Sequence, residues 1–206
     1  NLCFNWFSPA DNARDRGEAL SIREMIMAMV DTHGADPSRT FMTGLSAGGA
    51  MTSVMLASYP ELFAGGAIIA GLPHGSASNI PQALEAMREA GAFSTKDLGD
   101  RVRRASNHDG PWPRISIWHG SADATVSSTN ADAILAQWLS VHGLEPAPDA
   151  SEQIAGHRRR VWNDAAGRPL IEDYRIANMG HGTPLATTGR DACGMAGFLE
   201  FGNPII

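Results

Sequence analysis

Thr40-Phe41-Met42-Thr43-Gly44-Leu45-Ser46-Ala47-Gly48-Gly49 is the stretch that decides how the rest of the chain is read. Arg39 to Thr43 are rich in β-branched and apolar residues and predict a short strand. Residues 47–58 predict a helix that stops before Pro60. Between them, Gly44-Leu45-Ser46-Ala47-Gly48 fits the pattern G-x-S-x-G. A strand-to-helix turn this sharp holds the serine in a strained backbone conformation, and glycines on both sides avoid clashes there. The serine oxygen is then presented at the carboxyl end of a sheet, where ligands bind in open α/β sheets. The plain alternative is a glycine-rich turn that only caps a helix. The strand before it and the helix after it favour a nucleophile.

Working outward, residues 8–17 (SPADNARDRG) read as a loop, punctuated by Pro9 and Gly17. Glu18 to His33 carry apolar residues at three-to-four spacing and predict a helix, with Gly34 placed to end it. Asp36-Pro37-Ser38 is a turn. Gly65 to Ala70 and Arg114 to Trp118 predict two more buried strands, and residues 79–90 a short surface helix. Ser127 to His142 predict a helix with Ala131, Ile134, Leu135, Trp138 and Leu139 on its apolar face. From 153 to 178, two strand-like segments flank the turn Asn163-Asp164-Ala165-Ala166-Gly167. Residues 180–189 read as a loop and 191–201 as a closing helix. Strands alternating with helices imply one α/β domain, a mostly parallel sheet flanked by helices on both faces.

The composition agrees. The chain has 206 residues, 43% of them hydrophobic and 18% charged, which suits one globular core. Its formal net charge of −6 offers no footprint for nucleic acid. The basic run His157-Arg158-Arg159-Arg160 reads as one face of a strand. No apolar run approaches the ~18 residues of a membrane helix. Asn1-Leu2-Cys3-Phe4-Asn5-Trp6-Phe7 reads like the middle of a domain, so an export signal is expected upstream of it, if there is one. An extracellular or periplasmic location is expected on that basis, with a cytoplasmic one as the alternative. The two cysteines, Cys3 and Cys193, suit one bridge or two thiols. Neither H-E-x-x-H nor Cys-x-x-Cys occurs, so no metal is expected, and no phosphate or dinucleotide loop occurs, so no cofactor is expected. Oligomeric state is left open.

A serine hydroxyl needs a base to take its proton. In a Ser-acid-His order the acid and base follow residue 46. Asp123 lies in His119-Gly120-Ser121-Ala122-Asp123, just beyond the RISIW strand, and can orient an imidazole. Asp109 precedes that strand, and Asp132 sits in the next helix. Of the seven histidines, only His142, His157 and His181 follow Asp123. His142 ends a helix and His157 sits beside three arginines, whereas His181 lies between glycines after the last strand-like segment, which suits a base. His119 is expected to pack or hydrogen-bond near the acid loop. The Ala47 amide, next to the nucleophile and at a helix N-terminus, is the expected oxyanion donor.

At this point the residues resemble a known family. Phe4-Asn5-Trp6-Phe7, Gly34-Ala35-Asp36-Pro37-Ser38-Arg39, Gly44-Leu45-Ser46-Ala47-Gly48-Gly49-Ala50-Met51, Ala70-Gly71-Leu72-Pro73, Trp118-His119-Gly120-Ser121-Ala122-Asp123 and Gly180-His181-Gly182 are similar to stretches of the poly(3-hydroxybutyrate) depolymerase-type esterases, neighbours of the feruloyl and acetylxylan esterases. The resemblance runs from Asn1 to about Phe198. It implies an α/β-hydrolase fold, hydrolysis of carboxylic esters, and a triad that maps onto Ser46, Asp123 and His181. Family members also have an upstream part, with early strands and a loop that donates to the oxyanion. The resemblance therefore implies a single catalytic domain over 1–206 that lacks its N-terminal part. Ser76 stands where relatives often carry a cysteine; a Cys3–Cys193 bridge remains open.

The substrate expected from the resemblance is a polyhydroxyalkanoate or other polyester or short-chain ester. A feruloyl or acetylxylan ester is the alternative, and an inactive fragment is the reading from another class. Trp6 and Trp112 are the aromatic residues expected to line a substrate cleft, while Trp118 and Trp138 are expected in the core.

Overall fold

A computed structural model describes residues 3–185 and the backbone of 198–200. Six strands form one sheet: β1 (Phe41–Leu45), β2 (Gly65–Ile69), β3 (Arg114–Gly120), β4 (Ala150–Ile154), β5 (His157–Asn163) and β6 (Pro169–Ile176), in the order β1-β2-β3-β6-β5-β4. The first four in that order are parallel; β5 and β4 are added as antiparallel hairpins. The helices are α1 (Gly17–His33), α2 (Ala47–Ser58), α3 (Ile80–Arg88), α4 (Thr95–Ala105) and α5 (Thr129–His142).

Local chemistry explains these elements. Gly34 ends α1 in the left-handed conformation (φ 63°) and Gly143 ends α5 the same way (φ 67°). Asn79 caps α3 and Ser94 caps α4 by accepting an amide of the first turn. Every residue of α2 from Gly49 to Ser58 is buried, so its sequence is small or apolar apart from Thr52, Ser53 and Ser58. The Thr52 and Ser53 hydroxyls donate to the carbonyls of Gly48 and Gly49 one turn back. Ala155 and Gly156, both at positive φ, make the tight turn between β4 and β5.

The core joins Ile68, Ile115, Ile117 and Ile171 of the sheet to Met51, Val54 and Met55 of α2 and to Ile134 and Trp138 of α5. The alternate strand residues Ala67, Ile69, Ser116, Trp118, Glu172 and Tyr174 are half-buried. Among the described residues the helices therefore cover one face, and the other is half-exposed, where covering on both faces was expected. Trp118 lies on that second face, stacked on Tyr174, and not in the core; Trp138 is fully buried as expected.

Three further differences have physical reasons. Helix α4 escapes the periodicity reading because the apolar stripe of TKDLGDRVRRA is thin, Leu98, Val102 and Ala105, among six charged residues. Strand β4 escapes it because all five of its residues are exposed. The closing helix expected over 191–201 meets a strand at its end: β8 (Phe198–Glu200) pairs antiparallel with β7 (Gly182–Pro184), inside the expected loop, and residues 191–197 lie outside the described residues. The basic run does lie in a strand, but its residues alternate between faces. Arg159 pairs with Glu152 and Glu172, and its neighbour Arg160 pairs with buried Asp173. Cys3 is exposed, and Cys193 lies outside the described residues.

Candidate active site

Parallel strands deliver their carboxyl ends to one edge of the sheet. The turn after β1 carries Ser46, the loop after β3 carries Asp123, and the loop after β6 carries His181. Residues far apart in sequence thus reach the same edge.

Ser46 sits between β1 and α2 at φ 60°, ψ −120°, a conformation costly for a non-glycine residue. Its amide donates to the Ile69 carbonyl of β2 at 3.0 Å, which pins the turn to the neighbouring strand. A Cβ on Gly44 would lie 2.3 Å from the Gly48 carbonyl oxygen, and one on Gly49 would lie 2.7 Å from the Ile69 oxygen. A Cβ on Gly48 meets nothing within 4 Å. The glycines that the turn requires are thus Gly44 and Gly49, where the pattern alone pointed to Gly44 and Gly48. Ala47 opens α2, so its amide is among the first-turn donors that have no intrahelical acceptor.

The side chain of Asp123 is fully buried and its two oxygens do different work. Oδ1 accepts the amides of Thr125 and Val126, each at 2.9 Å, which fixes the carboxylate to its own loop. Oδ2 accepts Nδ1–H of His181 at 2.8 Å. Burial opposes ionisation, but hydrogen bonds from His119, His181 and the two amides outweigh it and hold the Asp123 carboxyl well below the usual carboxylate range. An ionised carboxylate only accepts, so the His181 proton is on Nδ1 and the lone pair on Nε2.

The acid and base loops are stitched together. The Ser121 amide donates to the Ile176 carbonyl and the Ala122 amide to the Met179 carbonyl, both at 2.9 Å. The Asn178 amide donates to the Ser121 hydroxyl at 2.9 Å. Gly120 permits this approach, since a Cβ there would lie 2.1 Å from the Met179 carbonyl oxygen. Gly120 and Ser121 are positioning residues that sequence reasoning missed; the Gly-Ser step right after a buried strand was the available signal.

The rivals fall away by place. Asp132 pairs with Arg175 at 2.8 Å on α5. Asp109 precedes β3 and so lies toward the opposite edge. His142 ends α5 with its ring against Trp138, and the His157 ring accepts the Ala177 amide. The two expected cleft tryptophans are packing residues. Trp6 is 6% exposed within the core. Trp112 feeds the amino end of β3 and meets Trp138 and His108 edge-on, so it stands at the wrong edge of the sheet for a substrate held at Ser46. A cavity of about 820 Å³ opens beside the loop after β2, lined by Pro9, His74, Phe93 and Arg101 among others, but by none of Ser46, Asp123 and His181. Among the described residues no cluster of His, Cys, Asp or Glu could hold a metal, and no helix is long and apolar enough to cross a membrane.

The family model Esterase PHB depolymerase matches residues 1–162. This chain belongs to that family. It is 46% identical over 199 residues to poly(3-hydroxyalkanoate) depolymerase C of Paucimonas lemoignei, covering 96% of this chain and 48% of that enzyme. It is 33% identical over 192 residues to an acetylxylan esterase of Coprinopsis cinerea, covering 90% of this chain and 51% of the relative. The structure of an acetyl xylan esterase from Aspergillus awamori superposes with a TM-score of 0.80 at 26% identity, covering 87% of this chain and 68% of that one. The fold is therefore that of the α/β-hydrolase esterases. The chain spans about half the length of the curated relatives it matches.

Proposed function

We propose that this chain carries the catalytic centre of a serine esterase, with Ser46 as nucleophile, His181 as general base and Asp123 as the acid that orients it. The observation that carries the reading is the 2.8 Å bond from His181 Nδ1 to buried Asp123, at the sheet edge where the strained turn presents Ser46. In the forward step the Ser46 oxygen attacks the ester carbonyl carbon and its proton passes to His181 Nε2. The Ala47 amide donates to the developing oxyanion. Collapse returns that proton to the leaving alcohol and leaves an acyl-enzyme. Water then attacks, gives its proton to His181, and the acid product leaves as Ser46 is restored. Asp123 remains ionised throughout, as its environment favours. The chemistry requires no cofactor.

The substrate in this proposal is a polyhydroxyalkanoate or a related short-chain ester, supported by the 46% identity to a depolymerase. An acetylated or feruloylated polysaccharide is the second reading, supported by the 0.80 TM-score to an acetyl xylan esterase. An extracellular or periplasmic location belongs to the same proposal, with a cytoplasmic one as the alternative. Hydrolysis of p-nitrophenyl butyrate by the parent, absent in Ser46→Ala, tests the chemistry; no turnover by the parent overturns it for this chain. Clearing of polyhydroxybutyrate against release of acetate from acetylxylan separates the two substrates.

A further inference from the structure

We infer that His119 is a positioning residue that sets the base strength of His181 through Asp123. The inference rests on Asp123 and His181 being the acid–base pair. His119 is the sixth residue of β3, 1% exposed, and its Nε2 faces two acceptors. The Val126 carbonyl is 2.8 Å away and Asp123 Oδ2 is 3.3 Å away. Two acceptors place the ring proton on Nε2. Nδ1 is buried and has no hydrogen-bond partner among the described residues, so the two acceptors at Nε2 are the polar groups that orient the ring there.

The arrangement gives His119 two tasks. By holding the Val126 carbonyl it closes the loop 120–126 on itself, and by donating to Oδ2 it shares the very oxygen that His181 uses. A donor on that oxygen draws off part of the charge that would stabilise an imidazolium at His181, so His119 weakens Asp123 as its partner. Among the described residues, the titratable groups facing Asp123 are these two histidines. Arg175, opposite His119 in β6, is occupied by Asp173 and Asp132. The Thr125 and Val126 amides hold Oδ1 independently, so removing the His119 donor leaves the carboxylate in place with its charge more available.

The test compares His119→Gln with His119→Asn. A glutamine amide reaches the position of Nε2 and carries two hydrogens for the two acceptors; an asparagine amide stops near Nδ1 and reaches neither. The readout is the titration of the His181 ring, followed by NMR of the 15N-histidine-labelled chain and assigned with His181→Gln. Alongside it, the acid limb of kcat/KM for p-nitrophenyl butyrate is measured. In His119→Asn the His181 titration and the acid limb should move up together by about 0.5–1 pH unit, as loss of one charge-assisted bond partly transmitted to its neighbour implies. At a pH on the acid limb that is a loss of about 3- to 10-fold in rate. His119→Gln should stay at the parental values. Parental titration in His119→Asn, or an equal shift in both variants, overturns the inference. If the His181 shift appears in a chain that turns over no ester, the positioning role stands and the esterase reading falls; turnover with no shift gives the reverse.

Discussion

Arg160 and Asp173 face each other in the antiparallel register of β5 and β6, and the guanidinium grips one carboxylate oxygen with Nε at 3.0 Å and Nη2 at 2.8 Å. Asp173 is fully buried, and its other oxygen accepts from Arg175 at 2.8 Å. Removing one partner of a buried ion pair leaves the other uncompensated, at a cost of about 3–5 kcal/mol. Asp173→Asn should therefore lower the urea midpoint sharply. Asp132→Asn, at the exposed end of the same chain of charges (65% exposed), should cost less than about 1 kcal/mol. Equal losses in paired urea melts would remove Asp173 from its place as the keystone of this edge.

Ser46→Ala should abolish ester hydrolysis and leave the circular dichroism unchanged. Alanine meets the same φ of 60° that serine already tolerates, so only the hydroxyl is lost. Turnover at the parental rate would mean that another residue attacks.

Asp123→Asn should lower kcat on the order of 10⁴-fold, by analogy with other triads, because an amide facing Nδ1 favours the wrong tautomer. Asp109→Asn should change kcat little, since Asp109 precedes β3. The opposite ranking in steady-state kinetics would reassign the acid.

Stability should fall between pH 6.5 and about 4. Burial pushes the His74 and His142 rings down to about 4 from an ordinary 6.5. The sign follows from proton counting: across that window the unfolded chain takes up protons that the folded chain refuses, so acid favours unfolding. The stabilisation is complete above pH 6.5 and lost as pH falls toward 4. Melting temperature measured from pH 7.5 to 4 should drop by several degrees, and His142→Gln should flatten the slope. An unchanged slope in that variant would show that His142 titrates normally.

Much of this site was legible in the chain, and the reasons are local. Ser46, Asp123 and His181 each lie in a turn or loop that follows one of the parallel strands, and parallel topology converts that order into a common edge. What was not legible depended on facing partners. Trp112 between two prolines resembles a cleft residue until Trp138 is seen against it. Helix α4 has only a thin apolar stripe, Leu98, Val102 and Ala105, set among six charged residues, although Ser94-Thr95-Lys96-Asp97 ahead of it carried a capping signal. The strand β8 pairs with β7 across fourteen positions of sequence, from Pro184 to Phe198, a contact that local periodicity does not encode.

The glycines of the turn should separate by position. At Gly44 an added methyl would overlap the backbone of Gly48, and at Gly49 it would overlap Ile69 and Gly71, with nearest approaches of 2.3 and 2.7 Å. Backbone cannot rotate aside as a side chain can, so Gly44→Ala and Gly49→Ala should force β1 and α2 apart. Both should show lower melting temperatures and lose turnover, since the Ser46 turn moves with them. Gly48→Ala is the control. Its methyl meets nothing within 4 Å, its φ is not positive, and alanine is favoured over glycine in a helix by up to about 1 kcal/mol. Its melting temperature should match or exceed the parent's, and any effect on catalysis should appear in KM, because the added methyl enters open space in the first turn after Ser46. Thermal melts and steady-state kinetics on the three variants check the ranking. A Gly48→Ala protein as unstable as the other two would mean that the space beside Gly48 is filled, and that the turn requires glycine on both sides of Ser46 as the bare pattern suggests.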